Sequence, residues 1–176
     1  EGEELLTPAR QSRVHSNMMY SELDKLMLPY EKNLKTTTNT VQCLHKIAEM
    51  THKRSLVIIF SDMLGSLDSY QELFAALKHL RYNKHEVILF HVFDSLLEQK
   101  LEFDNRPYRF IDLETGETLK LNPTEIKDRY KDIMTARKEE LLHHCHQYQI
   151  DYIEADINKS YNQILTSYLI KRGNII

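Results

Sequence analysis

Three short stretches of the chain are apolar with little or no alternation. They are Ser55-Leu56-Val57-Ile58-Ile59-Phe60-Ser61-Asp62, Glu86-Val87-Ile88-Leu89-Phe90-His91-Val92-Phe93-Asp94 and the more mixed Ile150-Asp151-Tyr152-Ile153-Glu154-Ala155-Asp156. The first two are rich in β-branched residues and read as strands covered on both faces. The third reads as an edge strand. Helical spacing fills the intervals. Ser12 to Leu28 predicts a helix closed by Pro29, and Asn39 with Gln42 caps a second that ends near His52. Ser69 and Glu72 form a capping box ahead of Leu73, Leu77 and Leu80. Asn122-Pro123-Thr124-Glu125 is the strongest start, with Asn as cap and Pro in the first helical position. Ile126, Tyr130, Ile133, Leu141, Cys145 and Tyr148 then mark one face of a long helix, and Ser160 with Gln163 opens a last one.

Strand and helix in alternation require right-handed crossovers and a parallel sheet. The expected fold is therefore α/β, a parallel sheet with helices on both faces. One departure is Tyr108 to Leu113 and Glu117 to Leu121 around Thr115-Gly116, which reads as an inserted β-hairpin. No internal repeat or low-complexity linker divides the chain, so residues 1–176 are expected to form one domain.

Composition narrows the function classes. With 176 residues, 41% hydrophobic and 28% charged, the chain can bury a core. A net charge of −3 offers no basic surplus for nucleic acid. Cys43 and Cys145 lack metal-type spacing and read as free thiols in a reducing compartment. No apolar run reaches spanning length and no signal peptide is evident, so a cytoplasmic setting without membrane is expected. The chain opens Glu1-Gly2-Glu3 without Met, and a piece of a longer protein is expected.

Ligands of open parallel sheets bind beyond the carboxyl ends of the strands. Those ends carry Asp62, Asp94 and Asp156. Asp94, followed by Ser95 and Glu98, and Asp156, ahead of Asn158 and Ser160, are well placed as turn and capping residues. Asp62 is not needed as a cap, because Asp68 or Ser69 serves the next helix. It is free to hold a cation or a partner's basic group. Thr38 has a similar standing, since Asn39 makes the better cap. His143-His144-Cys145-His146 looks like a metal cluster, but Cys145 falls on the apolar stripe and no fourth ligand is near. His91 reads as a satisfied core histidine. Gly is missing on both sides of Ser61, so a Ser61, His91 and Asp94 triad lacks its elbow. Four glycines cannot build a phosphate loop.

Several of these stretches carry a resemblance. Lys53 to Asp62, Leu77-Lys78-His79-Leu80-Arg81, His85 to Asp94, the hairpin Phe110-Ile111-Asp112-Leu113-Glu114-Thr115-Gly116-Glu117, Ile150-Asp151-Tyr152 and Tyr168-Leu169-Ile170-Lys171-Arg172 are similar to the bacterial family called domain of unknown function fifty-eight. The similarity runs from about Thr36 to Arg172. It implies a von Willebrand factor type A-like fold of which this chain is the C-terminal portion, its N-terminal strands missing. By position, Asp62 resembles the third-loop aspartate of a metal-ion-dependent adhesion site, and Thr38 its second-loop threonine. The first loop, Asp-x-Ser-x-Ser, is not in these residues. Mg²⁺ is thus implied for a full-length form, with no tight binding here. The resemblance also implies a partner, a MoxR-type AAA+ ATPase, beside which such genes often lie.

The expectation is a non-enzymatic protein-binding or adaptor module acting in complex assembly. The strand that ends at Asp62 would show an unpaired apolar edge, and a homodimer through that edge is expected. The alternative is a metal-dependent hydrolase built on Asp62, Asp94 and Asp156.

Overall fold

A computed structural model describes residues 10–27, 40–51, 54–63, 67–112 and 116–173. The chain divides into two compact units, one running over 1–38 and 112–116, the other over 39–111 and 117–176.

In the first unit, Ser12 caps helix α1 (Arg13–Leu26), its side chain accepting a hydrogen bond from the His15 N–H. No residue of α1 is buried. Pro29, the expected stop, lies outside the described residues.

In the second unit the order is α2 (Thr40–Met50), β1 (Leu56–Ser61), α3 (Leu67–Tyr82), β2 (Glu86–Phe93), β3 (Tyr108–Ile111), β4 (Thr118–Leu121), α4 (Pro123–Gln147), β5 (Asp151–Asp156) and α5 (Tyr161–Gly173). Strands β1, β2 and β5 form a parallel sheet in the order β1-β2-β5. The expected α/β architecture is what forms. Strands β3 and β4 pair antiparallel as a separate hairpin, as their turn residues predict. Gly116, which falls in the first unit, has φ of 76°, a left-handed conformation that glycine adopts without a steric penalty. Asn122 caps α4 by accepting from the Thr124 N–H, and Pro123 stands in its first turn.

The two sheet faces are unequally covered. On one, Val57, Ile59, Val87, Leu89 and Tyr152 pack with Leu44 and Ala48 of α2, Leu73, Phe74 and Leu77 of α3, and Leu141 and Cys145 of α4. On the other, α5 lies over β5 and sets the Tyr168 ring edge-on to Phe90, with centroids 6.1 Å apart. Central β2 is buried on both faces, which explains its continuous apolar run.

Among the described residues strand β1 pairs on one side, with β2, in line with the open edge expected of it. What departs from expectation is its cover, since its apolar run suggested a strand covered on both faces. Leu56, Ile58 and Phe60 are 44%, 49% and 67% exposed. Phe60 stacks on Phe90 with centroids 4.8 Å apart and leaves its outer side open. The α4 stripe also breaks at mid-helix, where Ile133 is exposed.

Candidate functional site

Hydrogen bonding separates the three strand-end aspartates. Asp94 caps a single π-helical turn (Ser95–Gln99), its Oδ1 accepting from the N–H groups of Leu96 at 2.9 Å and Leu97 at 3.0 Å. Buried Asp156 accepts from the N–H groups of Ser95 at 3.3 Å and Asn158 at 3.1 Å. The Asn158 side-chain amide donates to both carboxylates, at 2.8 Å and 3.2 Å, and ties the two turns together. The bond from Leu97, then that from Asn158, holds the Asp94 carboxyl below its ordinary range. Burial pushes Asp156 up, but bonds from Asn158 and Ser95 outweigh it and hold that carboxyl low too. Both aspartates are turn and cap residues, as their sequence neighbours suggest.

Asp62 is exposed just beyond β1. The turn that follows is set by Ser61, whose Oγ accepts from the Met63 N–H at 3.1 Å. Met63 has φ of 54° and its side chain is buried, so an apolar anchor holds a left-handed backbone that a non-glycine residue seldom adopts. Leu101, just past the π-helical turn, is likewise buried with φ of 46°.

Between these two turns and α4 lies a cavity of about 520 Å³. Met63, Phe93, Met134 and Leu141 give it apolar walls, while Asp62, Glu98 and Glu102 face it from the strand ends. Lys127, Lys131 and Lys138 face it from α4. These five α4 residues fall at positions 127, 131, 134, 138 and 141, the three- and four-residue steps that keep side chains on one helix face, and Thr135 and Arg137 flank them in the lining. Lys138 also pairs with Glu154 at 2.5 Å. Burial pushes the Glu98 carboxyl up; a backbone bond at Asp94 opposes this, and the charges of Asp62 and Asp94 add to it.

His91 forms part of the cavity lining and is fully engaged. Its Nε2–H donates to the Asp62 carbonyl at 3.1 Å, so in the neutral ring Nδ1 accepts from the Tyr152 hydroxyl at 2.7 Å. Burial lowers its pKa below 6.5, against the Asp62 carbonyl bond and Glu154, which raise it; the charges of Lys138 and Asp62 act more weakly, in opposite directions. Because the unfolded chain then binds the proton more readily than the folded one, stability falls as pH drops below 6.5. The lowered Asp94 and Asp156 act only below their ordinary 3.8, while raised Glu98 acts with the opposite sign above 4.5. Urea melts of the wild type and His91→Gln from pH 8 to 5 should show a shallower acid loss in the variant. Parallel curves would contradict this assignment.

Of the sequence-predicted metal pair, Asp62 lines the cavity and Thr38 lies outside the described residues. Among the described residues no group of three or more His, Cys, Asp or Glu side chains is placed to hold a metal ion. Asp62 supplies one carboxylate in a cavity whose opposite wall is cationic, and these residues do not by themselves fit Mg²⁺, which takes six oxygens. His144 stacks on Phe74 with centroids 3.9 Å apart, and burial pushes the Cys145 thiol up to about 12, so neither is presented as a ligand. Missed from the sequence were Lys127, Lys131 and Lys138. Their spacing with Met134 and Leu141 was the available signal.

Among the described residues no helix is long and apolar enough to cross a membrane. A protein named Sorting nexin MVP1, from Candida albicans, is similar at 28% identity over 120 residues, covering 61% of this chain and 16% of its own length. The chain thus spans about a sixth of the curated relative it matches. No solved structure matches the chain. The sequence model of one family matches residues 1–140, reaching further toward the N-terminus than the similarity from Thr36 and ending before β5. With most of its length matched, the chain belongs to the family described as Protein of unknown function DUF58.

Proposed function

We propose that this chain is a non-enzymatic protein-binding or adaptor module of von Willebrand factor A-like type, working with a MoxR-type AAA+ ATPase in complex assembly. The observation that carries the reading is the uncovered side of β1. Leu56, Ile58 and Phe60 expose large apolar surface on a strand whose pairing among the described residues is one-sided. Such a strand is a template for another chain, because pairing satisfies its backbone groups while apolar side chains leave water.

A second copy of the chain is one occupant of this edge, which gives a homodimer; the ATPase is the other. A Mg²⁺ ion at Asp62 would draw its remaining ligands from outside the described residues. This chain alone is expected to bind Mg²⁺ weakly, and tight binding in calorimetry with MgCl₂ would contradict that.

The strand-end carboxylates favour this reading over the hydrolase. Asp94 and Asp156 are committed to backbone N–H groups and to each other through Asn158. The experiment is light scattering on the wild type and on Phe60→Lys, alone and with a MoxR-type ATPase. Phe60 is two-thirds exposed, so the variant should keep its fold while placing a charge on the edge.

A further inference from the structure

The cavity beside Asp62 has features that an edge-pairing role does not use. Its floor is apolar, from Met63, Phe93, Met134 and Leu141, and its volume of about 520 Å³ is that of a small-ligand pocket. On its α4 side the ammonium groups of half-buried Lys127 and exposed Lys131 make no ion pair or hydrogen bond with a described residue. An ammonium group held beside apolar surface without a counter-charge gains from an anion that can bring an apolar body with it. On the side away from α4, Lys100 is paired with Glu102 at 3.8 Å, while Asp62 and Glu98 would repel an anion placed there. They leave the α4 side as the place for its charge.

We infer that this cavity binds a small amphipathic carboxylate, the carboxylate on Lys127 and Lys131 and the apolar body on Met63, Phe93, Met134 and Leu141. Binding needs no metal ion. It does not depend on the β1 edge, so the two readings can fail separately.

The probe is 1-anilinonaphthalene-8-sulfonate, an aromatic anion whose fluorescence rises in apolar sites, displaced by octanoate or by neutral octanol. The chain has no tryptophan, which keeps the signal free of transfer from that source. One saturable site is expected, from which octanoate displaces the dye about tenfold more effectively than octanol. Lys127→Glu with Lys131→Glu should weaken dye and octanoate about tenfold or more. Lys131→Glu alone, at an exposed position, should weaken both about threefold and keeps the test open if the double variant misfolds. Phe60→Lys, and exchange of MgCl₂ for EDTA, should leave the octanoate-sensitive signal unchanged. Equal displacement by octanol, full affinity in the lysine variants, a requirement for Mg²⁺, loss in Phe60→Lys or the lack of an octanoate-sensitive site would each overturn the inference.

Discussion

Leu89→Ala should lower the unfolding free energy by about 3 kcal/mol, within the range of roughly 2–5 for large-to-small changes in a packed core. Leu89 is fully buried at the centre of β2, in register with Ile59 of β1 on one side and Tyr152 of β5 on the other. Its side chain belongs to the cluster that joins the sheet to α2, α3 and α4. Neighbours on two strands and three helices cannot all move to fill the gap, so a cavity remains and adds to the lost transfer energy. Leu89→Met, which keeps volume, should cost less than about 1.5 kcal/mol. Urea unfolding checks this; a loss below about 1 kcal/mol for the alanine variant would mean that the core is looser than its burial indicates.

Arg81→Met should cost about 2–3 kcal/mol, because three charge-assisted bonds are lost together. The guanidinium donates from Nε to the Tyr148 carbonyl at 2.9 Å, from Nη1 to the His85 carbonyl at 2.6 Å and from Nη2 to Gln149 Oε1 at 3.0 Å. It thereby fastens the end of α3 to the entry of β2 and to the C-terminal turn of α4. Methionine keeps the aliphatic stem, so the measured loss reports the bonds and not the packing. Arg81→Lys should recover only part of it, since an ammonium cannot satisfy three acceptors in that planar fork. Denaturation of the pair of variants decides it. A methionine variant as stable as the wild type would show that the clamp is solvated at no net gain.

Much of this architecture was legible because local rules and tertiary context agree. The run from Val87 to Phe93 is apolar on both faces, and β2 is the strand buried on both. Asn122 and Pro123 announce α4, and both act as such signals require. The aspartates at 94 and 156 were readable as caps because Ser95 and Asn158 stand beside them.

Other features were hidden for physical reasons. β1 has the same apolar run as β2, yet exposes Leu56, Ile58 and Phe60, because which face is covered depends on helices distant in sequence. The left-handed turns at Met63 and Leu101 carry no glycine to mark them; burial of each side chain holds them. The π-helical turn after Asp94 is set by the same carboxylate that reads as an ordinary cap. Lysines 127, 131 and 138 look like a solvated helix face until the strand ends are placed across from them.

The central claim is that the open side of β1 is a protein-binding surface, and the solution mass tests it most directly. By light scattering at micromolar concentrations, the wild type should exceed its monomer mass of 20.9 kDa and co-elute with a MoxR-type ATPase when mixed. Phe60→Lys should stay at 20.9 kDa and elute apart from the ATPase. A wild type that holds 20.9 kDa at every concentration and never joins the ATPase would contradict the account.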